Sequence, residues 1–360
     1  MGTPSPPPRV RRLPEAVGAT VMPSDPLEAW AKKTEELGFA VVGLGGAGCD
    51  AVQDLVDLGS PGVRTFAINT DAQHLRRLPI EQRILVGERR LRGRGSGGDR
   101  AAVLDASEDG LEEIVRRLGR YEIVFLLAGL GGGTGSALLP RLSAELRRTD
   151  ALPIPVAFLP FQVELETNAE RRANVDGALA DLEEMGGLLL ALSNEKLRRF
   201  EALPLHRVFH VRNAYVHSLV TSLVDMVEHP SQINVDLASL KNHLANSGLS
   251  TLLFGEYHIS DPERLVHQAL TEGLLDFALD AEPSALLHLD GGSNLTLRTL
   301  DRVVRAMRAR LGEPKRLLFG TRVRPEPREV VRLTAVIGGL RPRAVREALR
   351  VADPPMAAPR

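Results

Sequence analysis

The chain has 360 residues, of which 43% are hydrophobic and 25% charged, and its formal net charge is −1 at pH 7. This length exceeds the usual size of one hydrophobic core, so we expect more than one domain. A charge so close to zero argues against a broad basic surface for nucleic acid. The single cysteine, Cys49, excludes an internal disulfide and is typical of a reducing cytosol. No apolar run approaches the roughly 20 residues of a membrane span, so we expect a cytoplasmic protein without direct membrane insertion.

Residues 1–37 begin with a proline-rich, basic stretch and are predicted to form a disordered leader. From residue 38 onward, short β-branched runs alternate with segments whose apolar residues recur at intervals of three and four. This alternation predicts a parallel sheet covered by helices on both faces. The predicted strands are Val41–Val42, Arg64–Asn69, Ile123–Ala128 and Ile154–Pro160, and the predicted helices between them are Ala47–Leu58, Gly110–Leu118 and Ser136–Arg147.

The segment from Arg207 to Glu228 is apolar around most of its helical circumference. A helix without a wet face is buried, most simply as a spine between two domains. We therefore expect an α/β domain over residues 38–206, a central helix with its following loop over 207–239, a second α/β domain over 240–340 and a flexible tail over 341–360.

Gly43, Gly45 and Gly48 form a G-x-G-x-x-G pattern in VVGLGGAGCDAV, directly after a predicted strand and at the start of a helix. This arrangement directs backbone N–H groups and a helix N-terminus at an anion, usually a phosphate. Alone, the pattern also fits a dinucleotide-binding unit, with Asp71 where a ribose-binding acid would stand. A glycine-rich turn without any ligand is a further alternative.

A second glycine turn, LLAGLGGGTGSALLP, carries five glycines between Gly129 and Gly135. Each glycine costs backbone entropy on folding, so the stretch needs a physical reason. Two such turns on neighbouring strands are expected to hold one polyphosphate between them. Thr134 and Ser136 are predicted to cap the following helix or to bond phosphate oxygens, and Pro140 is expected in a first helical turn.

The second turn contains GLGGGTGS, which closely resembles the phosphate loop of the FtsZ/tubulin superfamily of GTPases. GLGGAGCDAV, FAINTDAQHL, RGRGSGGDR, SNEKL and INVDLAS resemble other FtsZ motifs in the same order. The resemblance covers about residues 38–340. It implies an α/β fold with a Rossmann-like parallel-sheet GTPase domain, a long central helix and a second, smaller α/β domain. It also implies GTP or GDP with Mg²⁺ as cofactors, and a head-to-tail homopolymer in which each subunit inserts its INVD-type loop into the nucleotide pocket of the next.

The resemblance assigns nucleotide contacts to three groups of residues. The phosphates would lie on Gly45, Gly46, Gly48, Gly131, Gly132, Gly133, Thr134 and Gly135. The γ-phosphate and magnesium, a hard ion that prefers oxygen ligands, would face Asn69, Asp71 as the metal residue, and the Gly95–Asp99 loop with Gly97 and Gly98. The ribose would contact Glu164 or Glu166 together with Arg171, and the guanine would stack on Phe209 near Asn194. Phe209 also fits a plain core position, and Arg171 fits a solvated pair with Arg172.

Two positions expected at the guanine edge depart from the FtsZ pattern. Asp50 stands where FtsZ usually has Asn, and Asn213 stands where it usually has Asp. A carboxylate can accept from guanine N1–H and the exocyclic amine, while an amide can donate to O6. We hypothesise that the carboxylate and the amide have exchanged positions, the alternative being a pocket that binds loosely. Asp54 is a third departure, because many FtsZ proteins have Arg there.

The catalytic loop resembles the family in Asn234 and Asp236, but Ser239 replaces a second acid. Because serine is a poor proton acceptor, this change predicts a GTPase with reduced activity.

Three functions remain open from the sequence. The first is a polymerising GTPase in cell division or a related cytoskeletal role. The second is a GTP-binding scaffold or regulator that assembles without useful turnover, alone or with another FtsZ-like homologue. The third is an NAD(P)-dependent oxidoreductase built on the first glycine turn. Turnover on assembly separates the first two, and the identity of the nucleotide separates the third.

Overall fold

A computed structural model of the chain describes residues 38–341, apart from 61, 229–232, 234 and 276–278, together with residues 345 and 349. The predicted leader, Asn234 and most of the predicted tail lie outside the described residues.

Ten strands and twelve α-helices are present in the described part of the chain. The strands are β1 (Phe39–Leu44), β2 (Val63–Asn69), β3 (Gln82–Leu85), β4 (Ile123–Gly129), β5 (Leu152–Leu159), β6 (Leu189–Ser193), β7 (Leu249–His258), β8 (Leu279–Gly291), β9 (Arg316–Val323) and β10 (Val330–Leu340). The helices are α1 (Gly45–Leu58), α2 (Ala72–Arg77), α3 (Glu88–Leu91), α4 (Arg100–Ser107), α5 (Leu111–Leu118), α6 (Gly133–Leu146), α7 (Gln162–Thr167), α8 (Ala169–Met185), α9 (Leu205–Glu228), α10 (Leu237–Ala245), α11 (Pro262–Thr271) and α12 (Leu297–Leu311), with a 3-10 helix at Asn194–Phe200.

The strands form one sheet in the order β3-β2-β1-β4-β5-β6-β7-β10-β8-β9. Every pairing from β3 to β7 is parallel, whereas β10 runs antiparallel to both β7 and β8. The chain moves outward from β1 to β3 and then returns to place β4 on the other side of β1. Ligands of open α/β sheets bind at such a reversal, beyond the carboxyl ends of the strands. Both glycine turns follow the two strands at this point, and the predicted α/β fold class is confirmed.

The sheet separates two hydrophobic cores, because successive side chains of a strand point to opposite faces. Along β4, Leu126 belongs to the core under α6 and α8, whereas Phe125 and Leu127 belong to the core under α1 and α9. The central helix α9 buries Val216, Leu219 and many neighbours in this second core. The predicted apolar spine is therefore a buried helix against one face of the sheet.

Helices α1 and α6 begin at Gly45 and Gly133, earlier than their apolar periodicity predicts. The last glycines of both turns thus form the first turns of helices. Pro140 lies inside α6 rather than in its first turn, so the sequence expectation for it was wrong. Proline cannot donate to the carbonyl four residues earlier, and here the Ser136 carbonyl instead accepts from Arg100 Nε at 3.2 Å.

Candidate nucleotide site

The two glycine turns lie against each other at the carboxyl ends of β1 and β4. Gly45 has a positive φ of 70°, and a Cβ added to it would lie 3.1 Å from the backbone nitrogen of Gly135. Thr134 and Thr70 share a hydrogen bond of 2.8 Å between their hydroxyl groups. Ser136 accepts from the backbone N–H of Gly131 at 2.9 Å, so its hydroxyl braces the second turn from within. Neither Thr134 nor Ser136 caps α6.

Helices α1 and α6 have no side-chain cap at their N-termini. Most other helices in the described chain are capped by a side chain, as Asp71 caps α2 and Asp99 caps α4. The first N–H groups of a helix need partners, and the helix dipole adds positive potential at that end. Two uncapped N-termini facing one point form a site for an anion with several oxygens.

The glycines of the two turns and of the Gly95–Asp99 loop fall into two groups. Some are packed against neighbouring atoms, and others border open space. A Cβ on Gly48 would clash with the carbonyl of Leu127, and one on Gly133 would clash with the side chain of Ser96. By contrast, a Cβ on Gly46, Gly97 or Gly132 would meet no atom within 4 Å. These three glycines therefore leave room beside the helix N-termini, as a bound phosphate chain requires.

The Gly95–Asp99 loop closes over the second glycine turn. Asn174 of α8 donates through Nδ2 to the carbonyl of Gly98 at 2.7 Å and to that of Gly131 at 3.2 Å. One buried amide thus ties the loop to the phosphate-binding turn. Asn174 was not predicted from the sequence, although a buried polar side chain among apolar helix positions is a usable signal.

Asn69 and Asp71 follow β2 next to this loop. Asn69 is buried, and its Oδ1 accepts from the N–H of Thr70 at 2.8 Å. Asp71 Oδ1 accepts from the N–H groups of Gln73 and His74. Within the described residues Asp71 Oδ2 accepts no hydrogen bond, so one oxygen of the predicted metal residue stays available.

A cavity of about 420 Å³ opens beside the glycine turns, against α1 and α9. Its lining includes six of the predicted nucleotide contacts: Asp50, Glu164, Arg171, Asn194, Phe209 and Asn213.

Glu164 and Arg171 pair at one wall of this cavity. Glu164 Oε2 accepts from Arg171 Nη1 at 2.7 Å, while Oε1 accepts from the N–H of Phe161. Of the two acids predicted for the ribose, Glu164 lines the cavity, whereas Glu166 is exposed outside that lining. Phe209 is half-buried with its ring 6.1 Å from that of Phe161, which leaves an aromatic face at the cavity.

A buried cation, Arg212, and the carboxylate of Asp54 lie at the inner end of the cavity. The guanidinium of Arg212 is buried and stacks on the ring of Phe158, 3.8 Å from its centroid. Asp54 Oδ2 accepts from Asn213 Nδ2 at 2.6 Å and lies 2.6 Å from His210 Nδ1. Arg212 was missed, although a cation in the otherwise apolar stretch of α9 was a visible signal.

Asp50 lines the same cavity one helical turn before Asp54, but its environment differs. Its side chain is 63% exposed, and Oδ1 lies 2.9 Å from His74 Nε2. This hydrogen bond raises the pKa of His74 above its ordinary value. Asp50 and Asn213 therefore both line the cavity, but the carboxylate bonded to Asn213 belongs to Asp54.

Asp236 and Ser239 do not join this site within one chain. Both are exposed at the start of α10. On the same helix, Lys241 Nζ donates to Glu122 Oε2 at 2.9 Å and to the carbonyl of Asp150 at 2.6 Å. Glu122 directly precedes β4, and Asp150 lies two residues before β5. Helix α10 thus lies at the amino edge of the parallel strands, whereas the glycine turns lie at the carboxyl edge.

Two features are absent from the described residues. No group of three or more His, Cys, Asp and Glu side chains is arranged to hold a metal ion. None of the helices in that part of the chain combines the length and the apolar character needed to span a bilayer.

Sequence and structure comparisons agree with this architecture. The Tubulin/FtsZ family, GTPase domain, matches residues 39–201, and the FtsZ family, C-terminal domain, matches residues 248–341. The cell division protein FtsZ 1 of Methanocaldococcus jannaschii is 34% identical over 85% of this chain and 84% of its own length. FtsZ of Methanothermobacter thermautotrophicus is 31% identical over 84% of this chain and 79% of its own length. An FtsZ dimer structure from M. jannaschii aligns with a TM-score of 0.74 at 32% identity, covering 87% of this chain and 91% of that one.

The parallel sheet and its paired glycine turns define a GTP-binding protein of the tubulin/FtsZ type. The chain belongs to the FtsZ family. This assignment removes the reason for the oxidoreductase alternative, which rested on the first glycine turn alone.

Proposed function

We propose that this protein is a slow GTPase whose active site is completed between head-to-tail subunits of a filament. The observation that carries the proposal is the separation between Asp236 and the glycine turns at opposite edges of the parallel strands. Strand β4 has 7 residues, and at about 3.3 Å per residue it alone spans roughly 20 Å. Asp236 can therefore reach a nucleotide only on a neighbouring subunit.

Such a contact is heterologous, because the loop of one subunit meets the pocket of another. Heterologous contacts that do not close into a ring continue as a filament. The related M. jannaschii FtsZ is recorded as a dimer, which is consistent with self-association of this chain. We expect the chain itself to be its main partner.

The nucleotide would lie along the carboxyl edge of the sheet. Its phosphates would contact the N–H groups at the starts of α1 and α6, and its base would enter the cavity beside Phe209. The free oxygen of Asp71 fits a hard cation, and Mg²⁺ bound there would neutralise charge on the phosphates. The wall pair of Glu164 and Arg171 would lie beside the ribose.

Hydrolysis requires a water oriented and partly deprotonated next to the γ-phosphate. Asp236 of the incoming subunit is the remaining acid for that role. Its pKa is lowered by the hydrogen bonds that it accepts from Ser239, so the carboxylate stays ionised but is a weaker base. We therefore expect slow turnover that depends on assembly, in the cytoplasm and in cell division or a related cytoskeletal process, as the names of the curated relatives suggest.

The same weak base supports a second candidate, a GTP-binding scaffold that assembles without useful turnover. It could assemble alone or with another FtsZ-like homologue. Phosphate release measured together with sedimentation separates the two, because a scaffold would sediment with GTP and release no phosphate above background.

The shared site can be tested by mixing two inactive variants. Asp236→Ala keeps an intact pocket, and Gly132→Val keeps an intact loop but adds bulk where the phosphates pass. A mixture should regain phosphate release, because the Gly132→Val loop can complete the pocket of the Asp236→Ala subunit. Either variant alone should be inactive. If the mixture releases no more phosphate than the separate variants, the site does not form between subunits.

A further inference from the structure

Arg212 fixes the polarity of the inner end of the cavity. Its side chain is buried, and burial lowers its pKa to about 10, so it stays charged at neutral pH. Nε and Nη2 donate to Asn213 Oδ1 at 3.0 and 2.9 Å, and Nη1 donates to Asn194 Oδ1 at 3.2 Å. A guanidinium has no acceptor, so the amide atom that faces it must be oxygen.

Each amide therefore turns its Nδ2 away from Arg212. For Asn213 this direction is visible, because Nδ2 donates to Asp54 Oδ2 at 2.6 Å. The two amides consequently present N–H donors, not carbonyl oxygens, to their remaining surroundings.

Asp54 supplies the complementary acceptor. Its side chain is 14% exposed and lines the cavity. Oδ2 already accepts from Asn213 and contacts His210, but Oδ1 makes no hydrogen bond to any residue that the structure describes. A partly buried carboxylate with one open oxygen is a strong acceptor for paired N–H donors.

This set of groups matches guanine better than adenine. Guanine offers the N1–H and 2-amino donors on one edge, and O6 and N7 as acceptors. Adenine offers an unprotonated N1, which a carboxylate would repel. We propose that Asp54 is the residue that selects guanine, by accepting from N1–H and the 2-amino group, and that Arg212 is a positioning residue that keeps Asn194 and Asn213 as donors.

This inference rests on the proposed nucleotide site and replaces the hypothesis that Asp50 reads the base. Both aspartates lie on α1, four residues apart. Asp50 is 63% exposed and bonded to His74, whereas Asp54 is bonded to the buried Asn213. The geometry thus favours Asp54 as the acceptor.

Replacing the Asp54 carboxylate by an amide distinguishes a change in base selection from general damage to the pocket. A damaged pocket would lose affinity for every nucleotide and gain none for XTP. Xanthine carries a second carbonyl oxygen where guanine has its amine. Asp54→Asn should therefore weaken GTP binding by about 10- to 100-fold and bind XTP more tightly than the wild type does. Calorimetric titration of the full chain with GTP, XTP, ITP and ATP measures these preferences directly.

The matched control is Asp50→Asn, which makes the same chemical change one helical turn away and should leave the GTP-to-XTP ratio unchanged. A shift toward XTP in Asp50→Asn instead, or an unchanged ratio in Asp54→Asn, would overturn the inference. If the wild type does not prefer GTP to ATP at all, the proposed nucleotide site fails as well.

The role of Arg212 has its own readout. Arg212→Lys keeps a cation but loses the rigid planar fork that fixes both amide oxygens. It should reduce the ratio of GTP to ATP affinity about tenfold, because the amides can then turn. Equal weakening of GTP and ATP would mean that Arg212 only supports the fold.

Discussion

The backbone N–H of Ser239 donates to Asp236 Oδ1 at 2.8 Å, and this hydrogen bond caps α10. The carboxylate that we assign to the water of a neighbouring subunit is thus also the N-cap of its own helix. Asparagine caps helices about as well as aspartate. The capping role of Asp236 and its negative charge can therefore be tested separately by substitution.

Asp236→Asn should lose GTP turnover while it keeps the thermal stability of the wild type. Asp236→Ala should lose both, with a stability cost of about 1 kcal/mol for the missing cap. Thermal unfolding and phosphate release on the same preparations test this difference. Turnover that survives in Asp236→Asn would show that the carboxylate is not needed.

Ser239→Asp should raise turnover about tenfold, a part of the about 10²- to 10⁴-fold typical of a positioned general base. A second negative charge nearby would oppose the lowering of the pKa of Asp236, and an acid in the first turn suits the dipole of α10. Steady-state phosphate release above the assembly concentration is the measurement, with Ser239→Asn as the neutral control of similar size. An equal rise in both variants would exclude charge as the cause.

Gly132→Val and Gly48→Ala should separate ligand binding from folding. Gly132 has extended φ and ψ of −81° and 164°, which suit valine, and its Cβ would meet open space. This variant should fold normally and bind GTP at least about tenfold more weakly. Gly48→Ala should lower stability by about 1–3 kcal/mol, because its Cβ would press on the carbonyl of Leu127. Denaturant unfolding and nucleotide titration should therefore rank the two variants in opposite orders.

Phe209→Ala should weaken GTP and GDP to the same extent, by about 1–3 kcal/mol, if its ring stacks on the base. Stacking does not involve the γ-phosphate, so the GTP-to-GDP ratio should not change. Titration with both nucleotides measures this ratio. Phe200→Ala removes a partly buried aromatic ring outside the cavity lining and serves as a control for general loosening.

Stability should fall in acid because of two buried histidines. Burial lowers the pKa of His243 and of His288 from 6.5 to about 4. Between these values the unfolded chain binds more protons, so stability decreases as the pH falls from about 6.5 to 4, by about 3 kcal/mol for His288. His288→Leu should flatten this dependence in urea unfolding at several pH values, whereas the exposed His267→Leu should not. An unchanged slope in His288→Leu would show that His288 is already charged in the folded protein.

The sequence predicted the structural elements that are determined by residues close together in the chain. The first glycine turn could be found because a tight strand-to-helix junction needs glycine at Gly45 and Gly48, whatever surrounds it. The strand over β4 followed from a continuous apolar run. Pro140 was misplaced because α6 begins at Gly133, before its apolar periodicity starts. The proline is tolerated inside the helix because Arg100, which is distant in sequence, donates to the carbonyl of Ser136.

The inner end of the cavity could not be predicted in the same way. The spacing of Asp50 and Asp54 puts both on one face of a helix, but only the packing of α9 decides which of them meets Asn213. Arg212 and Asn194 come together from α9 and the start of the 3-10 helix after β6, a long-range relationship that no local pattern encodes. Resemblance to the FtsZ family supplied Phe209 and the acid that accompanies Arg171, but not the contact of Phe209 with Phe161.

The tether from Lys241 to Glu122 keeps α10 at one edge of the sheet, so the two ends of a subunit are chemically different. In a proposed row of n subunits, only n − 1 complete sites exist, and a lone subunit has none. One terminal subunit would present an open pocket that can exchange its nucleotide, while the other would present an acid with no phosphate to act on. Growth and loss of subunits should therefore differ at the two ends, although every subunit is identical.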